Sequence, residues 1–460
     1  MRPIGDAPTG AVMPGNNTYP GAAAAWAVVF MLAVAFILSF IDRQVLSLLV
    51  GPIRAAFQIS DVRFSMLQGL AFAITYSLGG LPLGLWIDRG NRKRIIALAI
   101  IVWSVATVSC GLVQSFWELF AARVMVGIGE AALLPAAFSM IPDLFRRDRI
   151  ATPMAVFMSG STVGAGLALI FGSYALSTAA ALNHWSFPGL RNANAWQITF
   201  LLVGSPGLIL GLLILALVRE PKRPAGHEAK DNARPKYRQV WAIRRFLIPM
   251  FLGFSCVTLT FHGTAAWVVE VFRRAHGWQP QHFGMVGGSI QIVSSLAGTF
   301  VGGVVIDHLH KRGWYDATMR VGIFVFVALI PSIALAMWLP HADAALAALG
   351  LVYFFFGMML PAPGISLQVA VPHESLGLTT ALMMMIVNLI GMGSGPTLVA
   401  LATKHLFGSD LALPSGVAVV AAAALGCGAL LLLTARKALA RMMNLRASAM
   451  DSPAMVAGAA

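Results

Sequence analysis

Charge is what this chain lacks most. Asp, Glu, Lys and Arg make up 11% of its 460 residues, against roughly a quarter in a soluble domain. A surface so poor in charge cannot be wetted over most of its area, which excludes an ordinary soluble globule. Cysteine is also rare. Cys110, Cys256 and Cys427 each lie inside an apolar run, at a spacing that matches no metal motif, so they are expected to be inert packing residues. There is no His-Glu-x-x-His, no Gly-x-Ser-x-Gly and no clustered His/Asp set inside the apolar runs, which argues against an intramembrane enzyme. No Gly-x-x-x-x-Gly-Lys-Ser/Thr is present, which argues against a nucleotide-driven pump. No cofactor and no metal are expected.

What is present is apolar: 58% of residues are hydrophobic and the mean hydropathy is +0.79. Such runs read as transmembrane helices, each needing ~20 residues to cross a bilayer core. Twelve are expected, at about 23–50, 64–87, 95–113, 117–141, 153–176, 197–218, 247–272, 283–306, 320–339, 345–370, 379–402 and 414–435. The first run is too long for a signal-peptide core and contains Asp42-Arg43, so it is expected to be retained.

The net charge of +14 does not point to nucleic acid. Most of the 32 Lys and Arg residues fall in short loops or tails, at 89–94, 146–149, 219–245, 311–320 and 436–446. The opposite loops hold only Arg54, Arg63, Arg191, Arg273, Arg274 and Lys404. This asymmetry is the positive-inside pattern. With an even number of spans, both termini are expected in the cytoplasm.

The polar stretch after Val218 splits the chain in two. The expected layout is a disordered tail at 1–22, a six-helix bundle at 23–218, a cytoplasmic linker at 219–246, a second six-helix bundle at 247–435 and a cytoplasmic tail at 436–460. An internal repeat supports this division. Gly84-Leu-Trp-Ile-Asp88-Arg89 runs into Arg92-Lys93-Arg94 after the second span, and Gly303-Val-Val-Ile-Asp307-His308 runs into Lys311-Arg312 after the eighth. Paired halves of this kind place a substrate site between them near the midplane.

Gly84, Asp88, Arg89, Gly90, Arg92 and Lys93 resemble the best-known motif of the major facilitator superfamily, with the second Gly one residue early. Arg123-Val-Met-Val-Gly127-Ile-Gly129-Glu130 resembles its helix-4 motif. Phe40-Ile-Asp42-Arg43-Gln44-Val45-Leu46 narrows the likeness to the spinster branch, whose animal members export lysolipids including sphingosine-1-phosphate. Related organic-anion and sugar-acid carriers share the Asp-Arg pair but usually precede it with Asn and Tyr, where this chain has Ser39 and Phe40. The resemblance implies an all-α membrane protein of twelve transmembrane helices in two six-helix bundles. It also implies that the loop of Gly84, Asp88, Arg89, Arg92 and Lys93 is a latch against the other half near the start of helix 11. Asp307 is its counterpart in the repeat. An Asp facing a helix N-terminus gains from the helix dipole; the basic run also sets topology.

Ionisable residues inside a span are costly and mark function. Four lie deep: Asp42 and Arg43 in the first span, Arg123 and Glu130 in the fourth. Fully ionised, they form a neutral cluster. His262 and Glu270 in the seventh span come closest to them in the second half. Arg123 and Glu130 are seven residues apart, so they share a helix face ~10 Å apart along the axis. Gly127 between them is expected to admit the first span closely. Asp42 and Arg43 point ~100° apart, and spacing leaves open which one faces a cavity.

A carboxyl group's hold on a proton changes as water and a neighbouring guanidinium come and go. Asp42 and Glu130 are therefore proton-coupling candidates. Arg43 and Arg123 suit a phosphate or carboxylate head group. The competing reading is a permanent structural pair joining the two helices. Gln291, Gln368 and Asn388, inside spans 8, 10 and 11, are further substrate-binding candidates or bond a neighbouring helix. Phe251–Phe254, Phe354–Met359 and Met383–Met385 offer a greasy wall, or ordinary packing.

The expectation is a secondary transporter working by alternating access, coupled to protons, for an amphipathic anionic solute such as a lysolipid or sphingoid phosphate. The alternative is proton-coupled import of small organic anions or sugar acids. A channel or scramblase would instead show unsaturable flux. Expected partners are protons, the substrate and membrane lipid, with no nucleic acid; the chain is expected to be a monomer in a bacterial inner membrane.

Overall fold

The computed structural model describes residues 20–146, 149–182, 193–221 and 237–450. Most of the expected tail at 1–22 and the centre of the expected linker at 219–246 lie outside these residues. Among the described residues the regular structure is entirely helical.

The first half runs α1 (Ala22–Leu48), α2 (Val50–Phe57), α3 (Asp61–Gln68), α4 (Leu70–Arg89), α5 (Arg92–Cys110), α6 (Phe116–Glu130), α7 (Leu133–Leu144), α8 (Ala151–Leu182) and α9 (Ala195–Leu217). The second runs α10 (Tyr237–Ala242), α11 (Arg244–His276), α12 (Pro280–Lys311), α13 (Ala317–Trp338), α14 (Ala342–Met359), α15 (Ala362–Ala370), α16 (His373–Val387), α17 (Gly393–Ala402) and α18 (Leu413–Met450). Among the described residues, eleven stretches are long and apolar enough to cross a membrane. The 20-residue α4 makes a twelfth of suitable length, since a residue rises 1.5 Å and a bilayer core is ~30 Å thick.

Several expected spans are broken rather than continuous. The second breaks at Gly69, whose φ of −99° and ψ of −81° leave the helical region. The fourth breaks between Glu130 and Leu133 and the tenth at Pro361. The eleventh passes through a π-helical turn at Asn388–Met392. Elsewhere the ends follow local chemistry. Ser60, Asn91 and Ser115 accept the backbone N–H groups of Arg63, Arg94 and Glu118 at the starts of α3, α5 and α6, which satisfies otherwise orphaned donors.

Within the first half α1 packs on α8, α5 on α6 and α9, and α4 on α6. Within the second α11 packs on α18, α12 on α14, and α13 on α14 and α18. An ion-pair clamp braces each half at the end carrying the basic loops. Arg92 at the start of α5 bonds Glu220 beyond α9 at 2.8 Å and also pairs with Asp143 in α7. In the second half Asp316 at the start of α13 accepts from Arg436 in α18 at 2.6 Å and from Arg320 at 2.8 Å. The two clamps occupy corresponding places with the charges exchanged.

The halves meet along α8 and α12, α1 and α11, and α3–α4 against α16–α17. Gly166 of α8 and Gly288 of α12 permit one of these contacts: a Cβ on Gly288 would lie 2.6 Å from the Gly166 carbonyl oxygen, closer than atoms can approach. A polar ladder runs along one face of α3. Asp61 pairs with Arg274 of α11 at 2.8 Å, Ser65 bonds Thr397 of α17 at 3.2 Å, and Gln68 donates to the Ala266 carbonyl of α11 at 3.2 Å. Arg54 joins this seam through Asp61 at 2.8 Å and Asp410 at 3.0 Å. The ladder seals the end of the molecule opposite the basic loops.

Candidate functional site

Asp42, Arg43, Arg123 and Glu130 meet between α1 and α6. The Nε and Nη2 atoms of Arg43 both reach Glu130 Oε2 at 2.6 Å. Three rings hold the guanidinium: the centroids of Phe40, Phe72 and Tyr76 lie 5.1, 4.8 and 4.7 Å from its carbon, within cation–π range. The Arg43 side chain keeps 14% of its area exposed, whereas that of Glu130 keeps none. Glu130 Oε1 has no hydrogen-bond partner.

The 100° between consecutive helical residues sends Asp42 elsewhere. Its Oδ2 accepts from Thr107 of α5 at 3.1 Å, and its backbone carbonyl accepts from Arg123 Nη1 at 3.0 Å. Arg123 Nε has no partner. The cluster is therefore one direct ion pair, Arg43 with Glu130, beside a separately held acid and base. Asp42 and Arg123 are both buried. Arg43 is the member with open access.

A narrow cavity between the halves gives Arg43 that access. Its polar lining is Arg43 and Gln44 of α1, Gln68 of α3, Arg123 of α6 and His262 of α11. Its apolar lining includes Phe40, Phe72, Phe261 and Met392. One wall is cationic and much of the remainder apolar, an arrangement that receives an anionic head group and tolerates hydrocarbon beside it. Among the described residues no group of His, Cys, Asp and Glu is arranged to hold a metal ion.

Other sequence-derived candidates lie away from this cavity. Gln291 is buried in α12 with Oε1 unpartnered. Gln368 of α15 is exposed and Asn388 is half-buried in the π-helical turn, and neither lines the cavity. Gly127 does not admit α1 as expected. A Cβ there would collide with Thr75 and lie 2.8 Å from the Phe72 carbonyl, so it is α4 that approaches. The expected greasy wall is also displaced. Phe251, Phe254 and Phe356 are buried in the second half's core, and the second half's large apolar lining comes instead from Phe261 and Met392.

In the expected latch, Arg92 is buried in its clamp, Arg89 and Asp307 are exposed, and Gly84 and Lys93 are half-buried. The side chain of Asp88 lies outside the described residues; α4, which carries it, packs against α16. Gln44, Gln68 and His262 as lining, the aromatic cage of Arg43, and the seam of Arg54, Asp61, Arg274 and Asp410 were not assigned from sequence. The available signal was a Gln beside the Asp-Arg pair and another at a helix break before Gly69. The seam charges resemble ordinary loop residues.

A family model described as Major Facilitator Superfamily matches residues 32–396. The chain is 27% identical over 316 residues to the probable galactarate/D-glucarate transporter GudP of Bacillus subtilis, covering 63% of this chain and 66% of that protein. It is 26% identical over 409 residues to protein spinster homolog 1 of Xenopus laevis, covering 82% and 73%. Among solved structures it resembles a bacterial homologue of the human lysosomal transporter spinster, in an inward-facing and unoccupied conformation. That match has a TM-score of 0.77 and 26% identity, over 91% of this chain and 97% of the other.

Proposed function

The chain belongs to the Major Facilitator Superfamily, and from that premise we propose that it carries an amphipathic organic anion through the central cavity by alternating access, coupled to protons at Glu130 and Asp42. It is a transporter and not an enzyme, as its fold and relatives are. One observation carries the reading: Arg43, the most exposed member of the cluster and part of the cavity lining, is held by Glu130. A substrate anion and the Glu130 carboxylate compete for the same guanidinium. Protonating Glu130 frees Arg43 for substrate, and losing the proton returns Arg43 to Glu130 and weakens the hold on substrate. Asp42, bonded to Thr107 and adjacent to Arg123 through its own carbonyl, is the second proton site. Arg123 steadies α1 and adds positive potential to the cavity.

The seam along α3 closes one end in this conformation, and the loop of Gly84, Asp88, Arg89, Arg92 and Lys93, with Asp307 opposite, holds the other end when it closes. In this reading that second end and both termini face the cytoplasm of a bacterial cell, with the protein a monomer in its inner membrane; the positive-inside asymmetry of the basic loops supports the orientation. The mixed cationic and apolar lining favours a lysolipid or sphingoid phosphate, in keeping with the spinster likeness. Gln44, Gln68 and His262 favour the second reading, a sugar acid, in keeping with the GudP likeness.

Flux in proteoliposomes tests the mechanism. Wild-type flux is expected to saturate and to respond to a pH gradient, and Glu130→Gln and Asp42→Asn to lose that response. Unchanged pH dependence in both variants would overturn the coupling. Unsaturable flux indifferent to any gradient would overturn the carrier itself.

A further inference from the structure

The cavity holds two polar groups, one from each half, that the ion pair does not use. Gln68 of α3 donates its Nε2 to the Ala266 carbonyl at 3.2 Å, which fixes the orientation of its amide. Its Oε1 is buried and has no partner. An acceptor left in that condition costs free energy, so a group that satisfies it is bound preferentially. His262 of α11 lines the same cavity as Gln68 and Arg43, from the other half. Its ring meets Phe261 edge-on, with centroids 5.1 Å apart, and neither ring nitrogen has a hydrogen-bond partner among the described residues.

We propose that His262 and Gln68 Oε1 form a second recognition point, which reads a hydroxyl group carried close to the substrate's anion. The inference rests on the anion reading of Arg43 given above. A neutral imidazole offers one N–H donor and one acceptor, and Gln68 Oε1 only accepts. A hydroxyl complements that pair: its O–H donates to Gln68 Oε1 while its oxygen accepts from the imidazole N–H. An ammonium group would satisfy the acceptors and leave the imidazole N–H unpaired. A methylene would leave every one of these groups unpaired. A site built to bond a hydroxyl rejects the analogue lacking it much more strongly than an apolar pocket rejects an extra methylene. The substrate class is therefore an anion, carboxylate or phosphate, with a hydroxyl on a nearby carbon. Such a ligand touches α1 and α3 on one side and α11 on the other, so it joins the two halves directly.

That chemistry occurs both in sugar acids and in lysolipids, and matched pairs separate the sources. Full-length protein in detergent is titrated calorimetrically with galactarate and with adipate, which has the same chain and no hydroxyls. It is also titrated with oleoyl lysophosphatidate and with its 2-deoxy analogue. In at least one pair the hydroxylated member is expected to bind wild type about tenfold tighter. The pair that shows this identifies the source. His262→Phe and Gln68→Met are each expected to erase most of that difference, and His262→Asn to retain it; because Gln68→Met also removes the Ala266 bond of the seam, only the difference within a pair is read for that variant.

The inference is overturned if His262→Phe leaves the difference intact, or if it weakens both members of a pair equally. Arg43→Gln keeps the two readings apart. If Arg43→Gln weakens both members and His262→Phe changes neither, the anion site stands and only the hydroxyl subsite fails. If Arg43→Gln changes nothing, or neither pair binds wild type, the anion site fails as well.

Discussion

Arg274→Gln is the perturbation that reports most directly on how the two halves hold together. Arg274 bonds Asp61 across the seam at 2.8 Å and Glu270 within its own helix at 2.6 Å. The Glu270 bond joins residues one turn apart in α11 and persists whether the seam is open or closed, so it drops out of the difference. Removing Arg274 also leaves neither acid alone, because Asp61 keeps Arg54 at 2.8 Å and Glu270 keeps Arg273 at 2.6 Å. The bond from Arg274 to the Asp410 carbonyl at 2.8 Å lies within the second half, so the loss across the seam is one hydrogen-bonded charge pair, about 1.5–3 kcal/mol, rather than the larger penalty of an abandoned buried charge. At 1.4 kcal/mol per factor of ten, the closed seam should lose roughly 10- to 150-fold in population relative to the open one. Spin labels at Ala55 and Leu411, both exposed at this end, measure the change by electron double resonance, with the three cysteines replaced by Ala. The longer-distance population should grow at least tenfold in Arg274→Gln. It should remain as in the parent in Arg273→Gln, which breaks a bond confined to α11. If the Arg274→Gln distances superimpose on the parent's while the melting temperature is unchanged, the seam does not govern opening and the reasoning fails.

Three other outcomes follow from the packing. Gly288→Ala places a Cβ 2.6 Å from the Gly166 carbonyl oxygen; α8 and α12 must separate, and a lower melting temperature with reduced flux is expected, whereas wild-type values in both would refute the contact. Arg92→Met strands Asp143 and Glu220 around a side chain that is 1% exposed, so a loss of about 3–5 kcal/mol is expected. Arg436→Met removes a side chain that is 34% exposed and should cost about 1 kcal/mol or less; equal melting temperatures for the two variants would contradict the ranking. Burial pushes the Asp316 carboxyl up, but hydrogen bonds from Arg320 and Arg436 more than offset that and hold it below the usual carboxylate range. A group lowered in the fold stabilises it above the ordinary carboxylate value of ~3.9 and loses that effect as pH falls through the folded value. The gap in melting temperature between parent and Asp316→Asn should therefore hold steady from neutral pH down to about pH 5 and narrow at lower pH, as thermal melts across that range would show.

The deep charges were legible because nothing else explains ionisable groups inside a 20-residue apolar run. Asp42, Arg43, Arg123 and Glu130 stand out on that ground alone, and the structure brings them together. Their pairing was not legible. A 100° step says that Asp42 and Arg43 diverge, but which one meets Glu130 depends on how α1 is rotated against α5 and α6. Gly127 fell on the correct face for a close approach, yet the helix that uses it is α4, because a single face looks the same to any neighbour. The seam failed for another reason. Arg54 and Asp61 lie in the connection between the first two spans, Arg274 at the end of α11 and Asp410 just before α18, and in sequence each is a solvated charge near a span's end. Only the fold gathers them. The cavity's neutral lining was hidden by its chemistry, since a Gln or a His within a helix bonds a neighbour as readily as a ligand.

The distribution of strong and weak bonds indicates which parts move. Each half is tied to itself by a clamp at the ends of its third and sixth spans: the buried Arg92 with Glu220 and Asp143 in the first, and Asp316 with the partly exposed Arg436, a weaker tie, in the second. Between the halves, by contrast, the seam comprises two charge pairs, Asp61 with Arg274 and Arg54 with the exposed Asp410, and two neutral hydrogen bonds. Net contributions of about 1 kcal/mol for a neutral bond and 1.5–3 for a charged one make the seam comparable to what a ligand can supply by binding one state more tightly than the other. Rigid halves over a weak seam are what alternating access requires. The four deep charges all belong to the first half, and the second half lines the cavity with Phe261, His262 and Ala266 of α11, Met392 and Pro396, so substrate meets no deep acid or arginine on that side. Two contacts of modest strength suffice to bias a seam of this size, and a stronger ionic anchor on that side would hold the halves together rather than let them exchange.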